Sequence, residues 1–209
     1  MNTHKAKNGF TLIEMLIVIG IITVLVGASI SAFSKMRSSA DRSRAQELVH
    51  NTAVALTAIF QQEGSWPKRL AANGASDGIL DAYTALPLAK GGYMSLTMNS
   101  DKSALGGLDK LGIVDPWAAA VIKTKGDSAS LSDMVNTPRT IQDHILHYAL
   151  DLDGDGIVDN ASVGGETVSV RASAIVWCAG KDGKMEPYTS GLKKDDIYSW
   201  TPGQARKAK

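Results

Sequence analysis

The feature that most constrains this chain is residues 10–33, FTLIEMLIVIGIITVLVGASISAF, 24 residues with no proline and a single charge, Glu14. As a helix rising about 1.5 Å per residue, the segment spans roughly 36 Å, enough to cross a bilayer core of about 30 Å. Fourteen of its residues are Leu, Ile, Val or Phe. Each favours the bilayer centre by roughly 0.3–0.6 kcal/mol, about 6 kcal/mol together as an upper figure. An acidic residue costs about 3 kcal/mol at mid-membrane and less near an end, where Glu14 sits, so insertion wins. The run is longer than the 7–15 apolar residues of an ordinary secretory signal, and no A-x-A cleavage site follows it. Lys5 and Lys7 precede it. Positive-inside reasoning therefore places residues 1–9 in the cytoplasm and the bulk of the chain outside. Anchoring alone leaves Glu14 without a role, because an intramembrane carboxylate normally has a specific partner.

The whole chain of 209 residues, 44% hydrophobic and 21% charged, suits one modest domain with its appendages. Lys+Arg is 22 against 21 Asp+Glu, a balance that gives no broad electrostatic footprint for nucleic acid. A single cysteine, Cys178, excludes an intrachain disulfide and a cysteine-rich zinc site. Residues 34–63 lack proline and glycine, and Leu48, Val49, Thr52, Leu56, Ile59 and Phe60 form one stripe at helical spacing. Gly64 and Trp66-Pro67 supply the stop. Residues 64–115 are rich in glycine and predict irregular loops with a short helix around 77–86. Residues 124–140 are polar and read as an exposed insertion. Two strand patterns follow. Leu146, Tyr148, Leu150 and Leu152 alternate within 144–152, and Val168, Val170, Ala172, Ala174 and Val176 within 167–177. The segment 151–166 between them reads as a hairpin connection. The expectation is an α+β fold, a long helix packed on a small antiparallel sheet.

KNGFTLIEMLIVIGIITVLV resembles the amino terminus of type IV pilins and type II secretion pseudopilins: a short basic leader, Gly9, Phe10, three residues, then Glu14. The resemblance implies a type IV pilin-like fold, cleavage after Gly9 by a prepilin peptidase on the cytoplasmic face, and methylation of the new amine of Phe10. It divides the chain into a leader (1–9), a transmembrane and filament-core helix (10–33), its amphipathic continuation (34–63) and a periplasmic globular domain (64–209). Physical reasoning gives Glu14 a matching task. In a filament, its carboxylate can pair with the Phe10 amine of a neighbouring copy, and the cost of an unpaired charge in an apolar core rewards the correct axial register.

Further along, Trp66-Pro67, Asp115-Pro116-Trp117, the Gly180-Lys181-Asp182-Gly183 turn and Asp195-Asp196-Ile197 running to Trp200 resemble the major pseudopilin of type II secretion. That resemblance implies calcium held in the carboxy-terminal loop by Asp182, Asp195 and Asp196. A separate signal lies in the residues themselves. Asp151-x-Asp153-x-Asp155-Gly156-x-x-Asp159 has the first-half spacing of an EF-hand loop, but Ser162 stands where the closing glutamate belongs. It is either a partial calcium loop completed by another residue, such as Glu166, or an Asp-Gly-rich turn.

No phosphate loop, serine-nucleophile motif or zinc-protease helix occurs, so an enzyme is not expected. His144 and His147 are three apart, on opposite faces of a strand, which defeats a shared metal. Cys178 and the four tryptophans read as core residues. The leading functional reading is a structural subunit of a type II secretion pseudopilus. Its partners are further copies of itself, the prepilin peptidase, minor pseudopilins and the inner-membrane secretion platform. The subunit is single-pass in the inner membrane, with its filament in the periplasm. The alternatives are a type IV pilin or minor pilin for adhesion, motility or DNA uptake, and a single-pass anchored calcium-binding domain.

Overall fold

The computed structural model describes residues 10–81, 83–93, 112–118, 142–188 and 195–207. The leader with Gly9, the polar 124–140 segment, and Lys193 and Lys194 beside the carboxy-terminal acidic loop lie outside the described residues. The chain divides into two units, Met1–Ala40 and Asp41–Lys209. The first helix, α1 (Leu12–Glu63), has 52 residues and belongs to both.

In the first unit every described side chain from 10 to 27 is exposed. Among the described residues no helix is long and apolar enough to cross a membrane. Up to the first side chains outside the described residues, the apolar stretch of α1 runs from Leu12 to Gly27. It rises roughly 24 Å, short of a bilayer core of about 30 Å. The side chains of residues 28–32, within the 24-residue run of the sequence, lie outside the described residues, and Phe33 at its end is exposed.

In the second unit α1 turns amphipathic. Val49, Thr52, Leu56 and Ile59 are fully buried, while Val54 between them is 54% exposed. The helix stops at Glu63 because Gly64 adopts φ +67° and its N–H bonds the Phe60 carbonyl at 2.9 Å, the left-handed cap that glycine takes without steric cost. Trp66 then stacks on Phe60 with centroids 4.8 Å apart and donates its indole N–H to the Asp151 carbonyl.

Two short helices, α2 (Lys68–Ala71) and α3 (Leu86–Lys90), flank the strand β1 (Gly78–Ile79). The helix expected over 77–86 is therefore replaced by an extended pair. The Asp81 carboxylate accepts from the backbone N–H groups of Tyr83 and Thr84 at 3.0 and 2.8 Å, holding a turn that ends the strand and delays helix formation to Leu86.

The remaining strands are β2 (His147–Leu150), β3 (Val158–Val163), β4 (Glu166–Val170), β5 (Ala174–Cys178), β6 (Ile197–Tyr198) and β7 (Ala205–Lys207). They form two antiparallel sheets, ordered β1-β2-β5-β6 and β3-β4-β7, rather than one. Two expectations are corrected here. The 167–177 pattern is broken at Arg171-Ala172-Ser173 into strands of different sheets, and the 151–166 connection contains β3. Alternation of apolar residues carries through the break, so periodicity could not reveal the change of sheet.

Strand β5 is buried throughout, and its two faces serve different cores. Ala174, Val176 and Cys178 join Val49, Leu56, Ile59, Tyr148 and Leu150. Ile175 and Trp177 face Val158, Val163, Val168, Val170 and Trp200. Period-two geometry sends alternate side chains of one strand into opposite layers.

Candidate functional site

At the amino terminus, Thr11 and Glu14 form a capping box on α1. Glu14 Oε2 accepts from the Thr11 N–H at 2.7 Å, and the Glu14 N–H reaches Thr11 Oγ1 at 3.3 Å. The Thr11 hydroxyl also donates to Glu14 Oε2 at 2.8 Å. Ser/Thr-x-x-Glu satisfies two of the four donors that a helix start leaves unpaired. The spacing T-L-I-E was legible in the sequence, but the apolar context drew attention to the charge and not to the cap. Phe10, just before the box, is 78% exposed.

The Asp151 loop folds on its own carboxylates. Both Asp151 oxygens accept backbone N–H groups, from Gly154 at 2.7 Å and Gly156 at 2.8 Å, and Asp155 Oδ1 accepts from Ile157 at 2.8 Å. Asp151, Asp153 and Asp155 each bring a ligand oxygen within 4.8 Å of the others. Asp159 is exposed and not part of that group, and Ser162, at the twelfth position, donates its N–H to the Ser76 carbonyl within β3. The strand thus takes the place from which an EF-hand would close.

The carboxy-terminal loop is arranged differently. The Asp182 N–H donates to Asp195 Oδ2 at 3.1 Å, and Asp182 Oδ1 accepts from Lys184 at 2.9 Å. Gly180 has φ +67°, and a Cβ there would collide with the Asp195 carbonyl, so glycine is required for this close approach. Asp182, Asp195 and Asp196 do not converge as a group of three ligand oxygens among the described residues. Asp196 differs from the other two in its burial. It is 7% exposed, its Oδ2 accepts from the Glu186 N–H at 3.3 Å and the Tyr198 hydroxyl at 3.2 Å, and its Oδ1 is buried with no hydrogen-bond partner. Burial, with the nearby Asp195 and Asp182 charges adding to it, pushes the Asp196 carboxyl up to about 6. Burial and Asp196 itself push the Tyr198 phenol upward, so it stays protonated and donates. A desolvated carboxylate oxygen in an acidic setting suits a hard cation that brings its own charge.

The two histidines serve separate carboxylates. His144 Nδ1 lies 2.9 Å from Asp115 Oδ2 with both side chains buried, while His147 Nδ1 lies 2.7 Å from Asp77 Oδ1 at the surface. Asp115 Oδ1 also receives the Trp117 and Ala118 N–H groups at 3.0 and 3.1 Å. Its burial raises the carboxyl above the usual range against the pull of His144. Sequence reading missed this pair because the partners are 29 residues apart. Cys178 is buried and its thiol is pushed up to about 12 by that burial, which leaves no reactive thiolate.

One comparison with known proteins concerns the amino terminus. The prokaryotic N-terminal methylation motif matches residues 4–30. The chain is 33% identical over 102 residues to the type IV major pilin protein PilE of Neisseria gonorrhoeae, covering 48% of this chain and 60% of that one. It is 32% identical over 102 residues to a fimbrial protein of Neisseria meningitidis, covering 48% and 59%. The chain thus spans about three-fifths of the length of the curated relatives it matches. No solved structure matches it. In its methylation motif and over the residues aligned with type IV major pilins the chain is similar to the type IV pilin and pseudopilin family, and its long capped helix followed by antiparallel sheets is consistent with that α+β fold.

Proposed function

We propose that the chain is a type IV pilin-like structural subunit that polymerises into a filament from the inner membrane. The observation that carries this reading is the amino terminus: a methylation motif over residues 4–30 whose Phe10 and Glu14 open one continuous 52-residue helix. A prepilin peptidase cuts after Gly9, the freed Phe10 amine is methylated, and residues 10–33 anchor the subunit until assembly. The apolar helix then exchanges lipid for neighbouring helices. The Glu14 carboxylate meets the Phe10 amine of the next copy, in a setting where an unpaired charge is costly.

The relatives are named as type IV pilins and a fimbrial protein, which favours the pilus over the type II secretion pseudopilus as the destination. Two observations speak for the pseudopilus as a second reading. Cys178 is a lone buried thiol that leaves the carboxy-terminal loop without a disulfide, and Asp196 presents a bare oxygen in that same loop. We assign calcium to Asp196 with Asp182 and Asp195, and hold the Asp151, Asp153 and Asp155 loop as the alternative site. Bound calcium would supply the charge and coordination that tie the terminal loop to the sheet.

The test is intact-mass analysis of protein from membranes together with filament imaging. The expected mature chain begins at Phe10 and carries one added methyl group. An uncut chain, or one cut beyond residue 30, overturns the reading. Expression in cells that supply only pilus machinery or only type II secretion machinery, scored for filaments, separates the two destinations.

A further inference from the structure

One groove of the second unit is apolar in its floor and cationic at its rim. Pro67, Leu86 and Pro87 are half-buried around a space of about 370 Å³, which Lys68 and Arg69 edge. Lys68 is exposed, the Arg69 guanidinium lies 4.2 Å from the centre of the Tyr83 ring, and among the described residues neither makes an ion pair. The loop over 151–159 has the opposite character. Leu152 is 48% exposed, and Asp153 and Asp155 beside it are exposed and make no ion pair among the described residues. We propose that this loop of one copy docks in the groove of a second copy, with Leu152 against Pro67, Leu86 and Pro87 and the two carboxylates against Lys68 and Arg69. The proposal rests on the reading of the chain as a self-assembling subunit and names a contact between its globular domains.

Charge, chemistry and rigidity argue for that occupant. Two cations edging an apolar floor call for an apolar side chain flanked by acids, and Leu152-Asp153-Gly154-Asp155 is such a sequence. Complementary potentials fix register and speed encounter. The loop is shaped before any contact. Asp151 accepts the Gly154 and Gly156 N–H groups and Asp155 accepts that of Ile157, so little freedom is lost on docking. Its root is held by the Trp66 indole on the Asp151 carbonyl and by the Leu150 N–H on the Gly74 carbonyl. Fixed in this way, the loop makes no ion pair with Lys68 or Arg69 of its own chain, which leaves the groove to a neighbour's loop. Loop and groove are different surfaces, so each copy can receive one neighbour and enter another. Contacts of that kind build open helical assemblies unless the rotation closes a ring.

The experiment crosslinks full-length copies in isolated membranes, with chelator present. One copy carries Asp159→Cys at the exposed end of the loop, and a second, bearing a different tag, carries Ser65→Cys, exposed beside the groove. Cys178 is buried with its thiol pushed up to about 12, so a bismaleimide reacts only with the introduced thiols. A product bearing both tags is expected. Lys68→Glu/Arg69→Glu in the Ser65→Cys copy should lower its yield about tenfold, because like charges then face one another. Asp153→Lys/Asp155→Lys in the other copy should do the same. Combining the two reversals should restore the yield, which loss of folding would not allow. Leu152→Ser should lower it with no change of charge. Absence of the two-tag product, reversals without effect or no recovery on combination overturns the inference, as does a Ser65→Cys copy joined only to a different protein. Filaments without the two-tag product overturn this contact and leave the filament reading standing. The two-tag product without filaments upholds the contact and overturns that reading.

Discussion

The two halves of α1 are one helix built for two surroundings. From Phe10 to Val26 the large apolar side chains are exposed, Leu12 at 85% and Ile13 at 67%, and polar residues are too few to form a face. Beyond Asp41 the same helix buries Val49, Leu56 and Ile59 completely while leaving His50 and Val54 outside. A helix apolar on all sides is complete only inside a bilayer or among other helices, whereas one with a single apolar stripe is complete once its own domain covers it. If the chain forms the proposed filament, the difference separates what it needs for folding from what it needs for assembly. Substitutions in the second half should act on stability, and those in the first on association.

The largest expected effect tests the first half. Glu14→Ala should leave the protein in the membrane fraction, because removing a carboxylate makes the span more apolar. Filament yield should collapse, since an apolar-core pair broken on one side costs about 3–5 kcal/mol per contact. Normal filaments from Glu14→Ala would show that the two halves do not divide the work in this way. The next effect tests the second half. Leu56→Ala should lower unfolding stability by about 2–5 kcal/mol. Val54→Ala, two residues away and 54% exposed, should stay within about 0.5 kcal/mol. Urea unfolding of the detergent-solubilised protein measures both, and equal effects would mean that the buried stripe is not the organising face.

The same contrast explains what was legible in the sequence. The helix, its end at Glu63 and the stripe Val49, Thr52, Leu56 and Ile59 follow from local periodicity and a glycine stop, and the structure places them there. The split into two sheets did not follow from periodicity, because β5 is apolar on both faces and its alternation joins smoothly to that of β4. Leu152, expected on the inward face with Leu150, is instead 48% exposed. The strand ends at Leu150, where Asp151 begins to accept bonds from its own loop. In the site, the aspartates could be named from spacing, but the bare Oδ1 of Asp196 and the hydroxyl of Tyr198 behind it depend on how the 183–188 segment returns. Such pairings are made by tertiary folding and leave no periodic trace.

A third effect concerns the second unit alone. If calcium binds only the folded state, it raises stability by about 2.7 kcal/mol at a hundredfold excess over Kd. Chelator should therefore lower the melting temperature, Asp195→Ala with Asp196→Ala should erase the shift, and Asp153→Ala with Asp155→Ala should leave it. The reverse pattern would assign the cation to the hairpin loop. A melting temperature indifferent to chelator would make both loops ordinary acidic turns, with the division of α1 unaffected.

The smallest effect returns to the first turn of α1, where folding and assembly share a residue. Thr11 and Glu14 cap the helix through bonds of 2.7, 2.8 and 3.3 Å. Thr11→Val keeps the shape of the side chain but removes the hydroxyl, and loss of such a cap costs about 0.5–2 kcal/mol. At about 1 kcal/mol, amide exchange in the first turn should quicken roughly fivefold in micelles, with no change in the melting of the domain beyond Asp41. Thr11→Ser, which retains the hydroxyl, should behave as the wild type. Unchanged exchange in Thr11→Val would mean that the cap contributes nothing measurable and that Glu14 is held for its neighbour alone. Faster exchange together with reduced filament yield would mean that the carboxylate reaches its partner from a position its own helix has already set.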